Sequence, residues 1–416
     1  MSRPVKIGLL GCGTVGRGVL ALLEKNGALI EERAGLALEV VKVLVRDPGK
    51  DRLGVPRGLL TTSAEEVVHG DCDVIVEALG GIEPARSLVV QALEERKHVV
   101  TANKALLAAH PLLLRFASEQ GVRIGFEATV AAAIPIVRAL EEGLVANRVS
   151  ELLGILNGTC NFVLTRMAEE GESFERALDE ARARGFAEAD PSLDVDGHDA
   201  AQKLAILAGL AFGSAGAPRV EGIRGIEEED VRAAKALGYA LKPLAVAREA
   251  GDALDLRVHP AFLPLAHPLA SVRFEDNAVL VRGDASGELL LRGKGAGALP
   301  TASALLSDVV SVVRGSPATA RNEKARPVAQ DARSRYYLRF PIHDAPGVIG
   351  RIATALGRRE ISISHAEATL VPGKPGKGHV KILAHETLDS VLATALEDIE
   401  RLPVLTGNPI AIRIID

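Results

Sequence analysis

The sequence predicts an α/β fold in three parts: a doubly wound parallel sheet, an α+β domain and a small ferredoxin-like module. In the first third, short β-branched runs alternate with helical stretches, as in a parallel sheet covered by helices on both faces. From Glu151 to about Ala298, hydrophobic strands are mixed with helices. Roughly the last eighty residues follow the order strand, helix, strand, strand, helix, strand. At 416 residues the chain is long for a single core, so several domains are expected.

The composition is that of a globular protein, with 47% hydrophobic and 25% charged residues. A net charge of -5 argues against nucleic acid as the main partner. No apolar run reaches membrane-spanning length, and the N-terminus enters a strand pattern without room for a signal peptide. Cys12, Cys72 and Cys160 are scattered without metal spacing, which favours a reducing compartment. We therefore expect a cytoplasmic protein with no nucleic-acid and no membrane partner.

The stretch GLLGCGTVGRGV carries a glycine motif directly after the first predicted strand. Gly11, Gly13 and Gly16 form GxGxxG at the opening of a helix, with Thr14 and Val15 between the last two glycines. Glycines at these positions allow a tight turn and let a pyrophosphate approach the helix N-terminus. These five residues are the predicted cofactor loop of a Rossmann-like domain that extends to about residue 135.

The end of the second predicted strand bears on the choice of cofactor. An NAD enzyme often has an acidic residue there for the ribose hydroxyls, whereas this chain has Arg46, with Lys50, Arg52 and Arg57 nearby. A guanidinium suits a 2′-phosphate, so NADP is favoured over NAD. Asp47 follows directly, and ribose binding by its carboxylate stays open as the alternative.

The stretch EADPSLDVDGHDAAQKLAIL, residues 188–207, combines a dense acidic segment with a single cation, Lys203. Its carboxylates are Glu188, Asp190, Asp194, Asp196 and Asp199. A calcium loop starting at Ser192 fails, because its twelfth position is Lys203 and not Glu. An acidic loop that only caps the next helix is the simpler alternative, since Asp is common at helix starts.

Lys203 favours a binding site over a cap. It lies four residues after Asp199, and therefore on the same helical face, among apolar neighbours. An amine held there is expected to be partly desolvated, with a lowered pKa, and the carboxylates would hold both it and a ligand's ammonium group. The stretch therefore predicts a site for a small zwitterion.

A second lysine follows another predicted strand. VVTANKALLA places Thr101, Asn103 and Lys104 just beyond the strand's carboxyl end, where ligands bind in open α/β sheets. A solvated lysine at a helix start is the alternative, although apolar residues surround Lys104. We predict it to be a second amine near the nicotinamide.

Together these pieces resemble the homoserine dehydrogenase family over the whole chain. The most specific block is ARARGFAEADPSLDVDGHDAAQK, residues 181–203, which matches that family's signature. FEATVAAAIPI, GILNGTCNF and GKGAGALPTAS are similar to three further blocks. The resemblance implies reversible reduction of L-aspartate 4-semialdehyde to L-homoserine, in threonine and methionine biosynthesis. No aspartate kinase segment precedes the glycine loop, so we expect the monofunctional kind.

The resemblance also implies roles for individual residues. Lys203 would be the proton donor, with Lys104 assisting on the nicotinamide side. Further residues would bind substrate (Glu188, Asp194, Asp199, Gly158 and Thr159) or lie near the cofactor (Gly185 and Gly297). A sodium ion would be held, mostly through backbone oxygens, by Glu127, Val130, Ala132 and Ile134. Two features depart from the family: alanines replace frequent glycines in FEATVAAAIPI, and Phe186 replaces a tyrosine.

The C-terminal module resembles an ACT domain, with HDAPGVIGRI joining its first strand and first helix. The resemblance implies that the loop around Asp344 and Gly347 receives an amino-acid effector, with threonine expected, at an interface between two modules. A homodimer or homotetramer is implied.

Predicted boundaries follow from these assignments. They are 1–135 for the Rossmann domain, completed by about 299–318, then 136–298 for the catalytic domain, 319–334 for a linker and 335–416 for the ACT domain. Because the linker is polar and the module adds no active-site residue, we expect the module to be separate from the catalytic body. A chain ending near Ala325 should then stay folded and active.

Two rival functions are weighed against this one. In an acylating semialdehyde dehydrogenase, Cys160 would be the nucleophile, but no histidine base lies close in sequence, and the lysine-ended signature is foreign to that chemistry. An amino-acid sensor that binds dinucleotide without catalysis would not need both lysines and the acidic set. Turnover with NADPH and aspartate semialdehyde separates the three.

Overall fold

A computed structural model describes residues 3–50, 52, 55–213, 216–315, 326–371, 373 and 375–415. The chain divides into two compact units. The first unit comprises residues 1–152, 202–216 and 276–326, and the second comprises 153–201, 217–275 and 327–416. Within the described residues, no helix is both long enough and apolar enough to cross a membrane.

The helices and strands follow one another along the chain in three parts. The N-terminal part contains β1 (Val5–Leu10), α1 (Thr14–Ala34), β2 (Leu38–Leu44), β3 (Leu60–Thr61), α2 (Ala64–Val68), β4 (Val74–Glu77), α3 (Ala85–Glu94), β5 (His98–Thr101), α4 (Lys104–Ala109), α5 (Leu112–Glu119), β6 (Ile124–Gly125) and α6 (Ile136–Arg138). The middle part contains β7 (Val149–Ile155), α7 (Gly158–Glu170), α8 (Phe174–Ala183), α9 (Ser192–Val195), α10 (His198–Phe212), β8 (Arg219–Val220), α11 (Glu228–Ala236), β9 (Tyr239–Ala250), β10 (Ala253–Pro264), β11 (Asp276–Gly283), β12 (Gly287–Lys294) and α12 (Ala298–Arg314). The C-terminal part contains β13 (Arg333–His343), α13 (Val348–Arg358), β14 (Ile363–Leu370), β15 (Lys377–Leu388), α14 (Asp389–Glu400) and β16 (Ile410–Ile414).

The first unit is built on a parallel sheet with strand order β3-β2-β1-β4-β5-β6. The predicted doubly wound, Rossmann-like sheet is therefore confirmed. Helices α1 and α12 pack together, and Leu305 and Val309 of α12 join the core that contains Ile7 and Leu9 of β1. A side chain at Gly18 would place its Cβ 2.6 Å from the carbonyl oxygen of Ala298, so glycine is what lets these helices approach.

The second unit contains strands in the order β9-β10-β16-β13-β15-β14, with β8 beside β10. The C-terminal module has the predicted order β13-α13-β14-β15-α14-β16, which confirms its ferredoxin-like fold. Its edge strand β16 pairs in parallel with β10, through Ala261 with Arg413 and Phe262 with Ile414. The backbone N–H of Ile415 also donates to the carbonyl of Phe262 at 3.0 Å. The module thus extends the sheet of the β9–β10 hairpin.

The two parts of this unit also share one core. The rings of Phe262 and Tyr337 stack with centroids 4.9 Å apart, and both side chains belong to a cluster with Phe162 and Ile412. Phe262 and Phe162 belong to the middle segment, whereas Tyr337 and Ile412 belong to the C-terminal module. The expectation that the module is separate from the catalytic body is therefore wrong. The sequence pattern revealed the module's own fold but not that its inner sheet face is covered by the middle segment.

The segment predicted to be a polar linker is only partly described. Residues 319–325, including the cut expected near Ala325, lie outside the described residues. Beyond them the chain makes regular contacts: Leu254 donates to the carbonyl of Pro327 and accepts from the N–H of Ala329, each at 2.8 Å. This part of the predicted linker therefore runs beside β10.

Removing residues 326–416 should prevent the second unit from folding. The cut takes away Arg339, whose guanidinium donates to the buried carboxylate of Asp230 at 2.7 Å, and exposes Phe262 with an unpaired edge of β10. Each large apolar side chain so exposed costs about 1.5–3 kcal/mol. We expect insoluble protein, or protein without a cooperative thermal transition for this unit. Adding the missing segment as a second chain should restore solubility. A truncated protein that melts like the full chain would contradict this expectation.

Candidate active site

The glycine loop has the geometry that a dinucleotide needs. Gly11 has a φ of +101°, and a Cβ at Gly16 would lie 2.2 Å from the carbonyl oxygen of Gly11. Gly13 directly precedes α1, and no other atom lies within 4 Å of the position that a Cβ would take there. The N–H groups of Thr14 and Val15 therefore begin a 21-residue helix whose start can receive a phosphate.

The surroundings of this loop are cationic. Burial raises the pKa of the Cys12 thiol, and the guanidinium groups of Arg52 and Arg17 oppose that rise, so both charges act on the loop. Arg46 is exposed just beyond β2. The carboxylate of Asp47 accepts the N–H of Gly49 at 2.8 Å and so closes a local turn. The guanidinium of Arg52 donates to the backbone carbonyls of Asp47 and Lys50 at 2.8 and 3.0 Å, so it is held beside the same turn.

Lys104 opens α4 in a rigid setting. Asn103 caps the helix by accepting the N–H of Leu106 at 3.1 Å, and its own N–H donates to the hydroxyl of Thr101 at 2.9 Å. That hydroxyl in turn donates to the buried carboxylate of Glu77 at 2.5 Å. Lys104 itself is half-buried. This chain of bonds fixes the start of the helix at the carboxyl edge of the sheet.

The loop predicted to hold sodium begins at a buried carboxyl pair. The carboxylate of Glu127 accepts the N–H groups of Val137 and Arg138 at 2.8 and 3.0 Å. The backbone N–H of Glu127 donates to the carboxyl group of Asp308 at 2.8 Å. Burial, then the nearby charge of Glu127, raises the pKa of Asp308 to about 8. Burial also raises the pKa of Glu127. Asp308 on α12 thus anchors the loop, and the guanidinium of Arg138 lies 3.4 Å from its carboxyl group.

The same loop adopts a strained backbone. Ala131 and Ala132 have φ values of +53° and +31°, in the region that favours glycine. A left-handed conformation costs an alanine roughly 1–2 kcal/mol. Within the described chain, no backbone N–H donates to the carbonyls of Val130 or Ala132, whereas the carbonyl of Ile134 accepts from Ile136 at 2.8 Å. The loop therefore presents two carbonyl oxygens that a small cation can bind.

The acidic stretch in the second unit is organised by a residue that the sequence did not single out. The side-chain N–H groups of Asn157 donate to Asp194 at 2.7 Å and to Asp199 at 2.9 Å. Asp194 lies on α9 and Asp199 in the first turn of α10. Glu188 is exposed and makes no hydrogen bond to these three among the described residues. The structure thus brings two of the three predicted carboxylates together.

The neighbouring predicted residues support this arrangement through the backbone. The hydroxyl of Thr159 donates to the carbonyl of Phe186 at 2.6 Å, which ties α7 to the loop after α8. A Cβ at Gly158 would lie 2.7 Å from the carbonyl oxygen of Glu275, so the chains meet there without side chains between them. Gly185 and Gly297 have φ values of +77° and +124°, at the end of α8 and the start of α12.

Lys203 lies one turn after Asp199 on α10. It is half-buried, and its neighbours Leu204 and Leu207 are fully buried. Cys160 is buried, and its thiol donates to the carbonyl of Asp194 at 3.1 Å. A thiol held in this way packs beneath the acidic stretch, which disfavours the acyl-transfer alternative.

The predicted effector loop lies between β13 and α13. Gly347 caps α13 with a φ of +81°, and the N–H of Asp344 donates to the carbonyl of Gly376 at 3.0 Å. Both residues are exposed.

Comparisons with known proteins decide the family. Residues 135–310 match the family model described as homoserine dehydrogenase, residues 11–127 match its NAD-binding domain, and residues 336–404 match the ACT domain. A homoserine dehydrogenase of a Synechocystis species is 40% identical, with 99% of each chain covered. The chain belongs to the homoserine dehydrogenase family. It is therefore an oxidoreductase with a nicotinamide cofactor and an ACT domain.

Solved structures of homoserine dehydrogenases agree with this. The enzyme from Thiobacillus denitrificans has a TM-score of 0.88 and 40% identity, covering 100% of this chain and 99% of that one. A hyperthermophilic archaeal homoserine dehydrogenase in complex with NADPH has a TM-score of 0.65 and 28% identity, covering 76% of this chain and 99% of the other.

Sequence reasoning missed three residues of this homoserine dehydrogenase site. The sequence around Asn157 indicates a helix cap, because an Asn between a strand and a helix is a preferred N-cap. No pattern in the neighbouring sequence indicates that its side chain bridges two carboxylates. Glu77 ends an apolar strand, where a charge is unexpected. Asp308 interrupts the apolar face of α12, and its partner Glu127 lies 181 positions away.

Proposed function

We propose that this family member catalyses the reversible reduction of L-aspartate 4-semialdehyde to L-homoserine with NADP. The observation that carries the proposal is the pairing of the Asp194 and Asp199 carboxylates through Asn157, with Asp199 one helical turn before Lys203 on α10. An amino acid with a carbonyl at C4 offers an ammonium group for the carboxylates and an oxygen for the lysine. In the cell, the step serves threonine and methionine biosynthesis in the cytoplasm.

Lys203 is proposed as the general acid. The bound nicotinamide supplies or accepts the hydride at C4 of the substrate. As negative charge grows on the carbonyl oxygen, the ammonium of Lys203 stabilises it and donates the proton. In the reverse direction the neutral amine takes the hydroxyl proton of homoserine. Lys104 adds a second positive charge for the same oxygen, and Asp194, Asp199 and Glu188 bind the substrate's ammonium group.

Replacing Lys203 with Ala should lower kcat at least about a hundredfold, because proton transfer typically contributes 10²–10⁴-fold. NADPH oxidation with aspartate semialdehyde, and its formation with homoserine, measure this. Lys203→Arg keeps a charge that cannot be deprotonated near neutral pH, so it should also be impaired, most in the direction of homoserine oxidation. Lys235→Ala, on the surface of α11, is the control. Near-normal turnover of Lys203→Ala would show that Lys203 is not the general acid.

Preference for NADP is proposed from the charges around the glycine loop. Arg46 follows β2, Arg52 and Arg17 act on Cys12, and the carboxylate of Asp47 is engaged by Gly49. The archaeal relative with NADPH is consistent with this choice.

Arg46→Ala should raise the KM for NADP about tenfold or more and change that for NAD little. Hydrogen bonds to a charged group contribute about 1.5–3 kcal/mol, and only NADP has the 2′-phosphate to lose. Initial rates with each cofactor over a concentration series give both values. Arg115, an exposed arginine on α5, provides the control substitution to Ala. Equal losses with both cofactors would make Arg46 a structural residue.

A sodium ion on the loop of Glu127, Val130, Ala132 and Ile134 is part of the proposal. The support is the pair of carbonyls that accept no backbone N–H among the described residues. The ion would brace the strained backbone there.

Feedback inhibition by threonine through the ACT domain is proposed from that domain's presence and from the exposed loop of Asp344 and Gly347. Assembly as a homodimer or homotetramer would pair two such loops. Inhibition requires that threonine bind two states of the enzyme with unequal affinity.

Gly347→Ala should reduce the sensitivity to threonine, because a Cβ at a φ of +81° strains the loop that receives the effector. The measurement is the fractional rate over a threonine series. Gly171→Ala imposes similar strain, with a φ of +67° and open space around it, at the end of α7. If both variants kept wild-type sensitivity, the effector would have to bind elsewhere.

A further inference from the structure

Asn157 uses every hydrogen-bonding group of its side-chain amide. It caps α7, where its Oδ1 accepts the N–H of Cys160 at 2.8 Å. That bond fixes which way the amide points, so Nδ2 faces Asp194 and Asp199 at 2.7 and 2.9 Å. The residue is only 4% exposed.

Capping alone does not require asparagine. Ser, Thr or Asp at this position would accept the same N–H and cap the helix as well. What those side chains lack is a pair of donors beside the acceptor. Among short side chains only asparagine offers one acceptor and two donors, and here all three are used.

The two N–H donors of Asn157 counteract the repulsion between the carboxylates of Asp194 and Asp199. Two carboxylates that converge on one site repel each other. This repulsion is relieved when one of them takes up a proton or when its side chain rotates away. An uncharged amide between Asp194 and Asp199 holds one oxygen of each without neutralising either charge. Both carboxylates then remain acceptors for a ligand that carries a positive charge.

We propose that Asn157 is the positioning residue that sets the spacing of Asp194 and Asp199 and thereby determines affinity for the substrate's ammonium group. The inference rests on the proposed function, since it takes those carboxylates to be the ammonium site. Asn157 itself touches no reacting atom. Its loss should appear in the KM for the amino-acid substrate, because the cofactor loop belongs to the other unit.

The test compares Asn157→Asp with Asn157→Ser. Both keep an acceptor for the N–H of Cys160 and therefore the cap. Aspartate replaces the donors by a third carboxylate, whereas serine removes them without adding charge. Asn161→Asp is the control, because Asn161 is buried in the same helix and its amide donates to the backbone carbonyls of Val272 and Phe274.

At about pH 9, Asn157→Asp should raise the KM for homoserine at least about thirtyfold, while the dissociation constant of NADPH changes less than about twofold. This increase should shrink towards pH 6, relative to wild type at each pH, because the crowded carboxyls take up a proton that restores one donor. Asn157→Ser should raise the KM by a smaller factor that does not vary with pH. Asn161→Asp should lower the Tm without this pH dependence.

Three outcomes would overturn the positioning role. In the first, either variant keeps the wild-type KM; in the second, both lose NADPH binding together with Tm; in the third, the two show the same pH profile. Wild-type enzyme that fails to oxidise homoserine would overturn the proposed function as well. Active wild-type enzyme with unaffected variants would overturn the positioning role alone.

Discussion

The second unit depends on the parallel pairing of β10 with β16. That pairing brings buried charges of the middle segment against buried charges of the C-terminal module. Arg339 is 1% exposed and Asp230 0% exposed, and their bond at 2.7 Å must offset the loss of hydration for both. Arg413 of β16, which is buried, contacts the half-exposed carboxylate of Glu221 at 2.7 Å. Such pairs add little net stability, but they penalise any register in which one partner is left alone.

The buried charges near β10 form a continuous group. Asp389 at the start of α14 accepts hydrogen bonds from Arg257 and from the hydroxyl of Tyr336, and it forms an ion pair with Arg219. Burial raises the pKa of Tyr336 and lowers that of His259, which faces Arg413 and Arg257. Both groups are therefore neutral over the physiological range. The cluster ties the first turn of α14 to β10 and so links the C-terminal module to the middle segment.

Much of the fold could be predicted because its signals are local. Alternation of strands and helices, GxGxxG and the βαββαβ order each occupy a short stretch and need no knowledge of distant partners. The pairing of β10 with β16 joins residues far apart in the chain and leaves no local pattern. The same distinction applies within the site. Spacing on one helix placed Asp199 and Lys203 together, whereas the bridge through Asn157 depends on how β7, α9 and α10 meet in space.

The shared sheet also affects how the protein is made. Phe262 finds its partner in Ile414, about 150 residues later, so the sheet of the second unit stays incomplete until translation is nearly finished. At about 5–20 residues per second, that wait lasts roughly eight to thirty seconds. The parallel sheet of the first unit is complete with β6, and the later segments of that unit, which end with α12, are also synthesised well before the end of the chain. The nascent chain therefore passes through a stage in which a nearly finished nucleotide-binding sheet precedes an open strand edge, and this edge is where nascent chains would meet chaperones or one another.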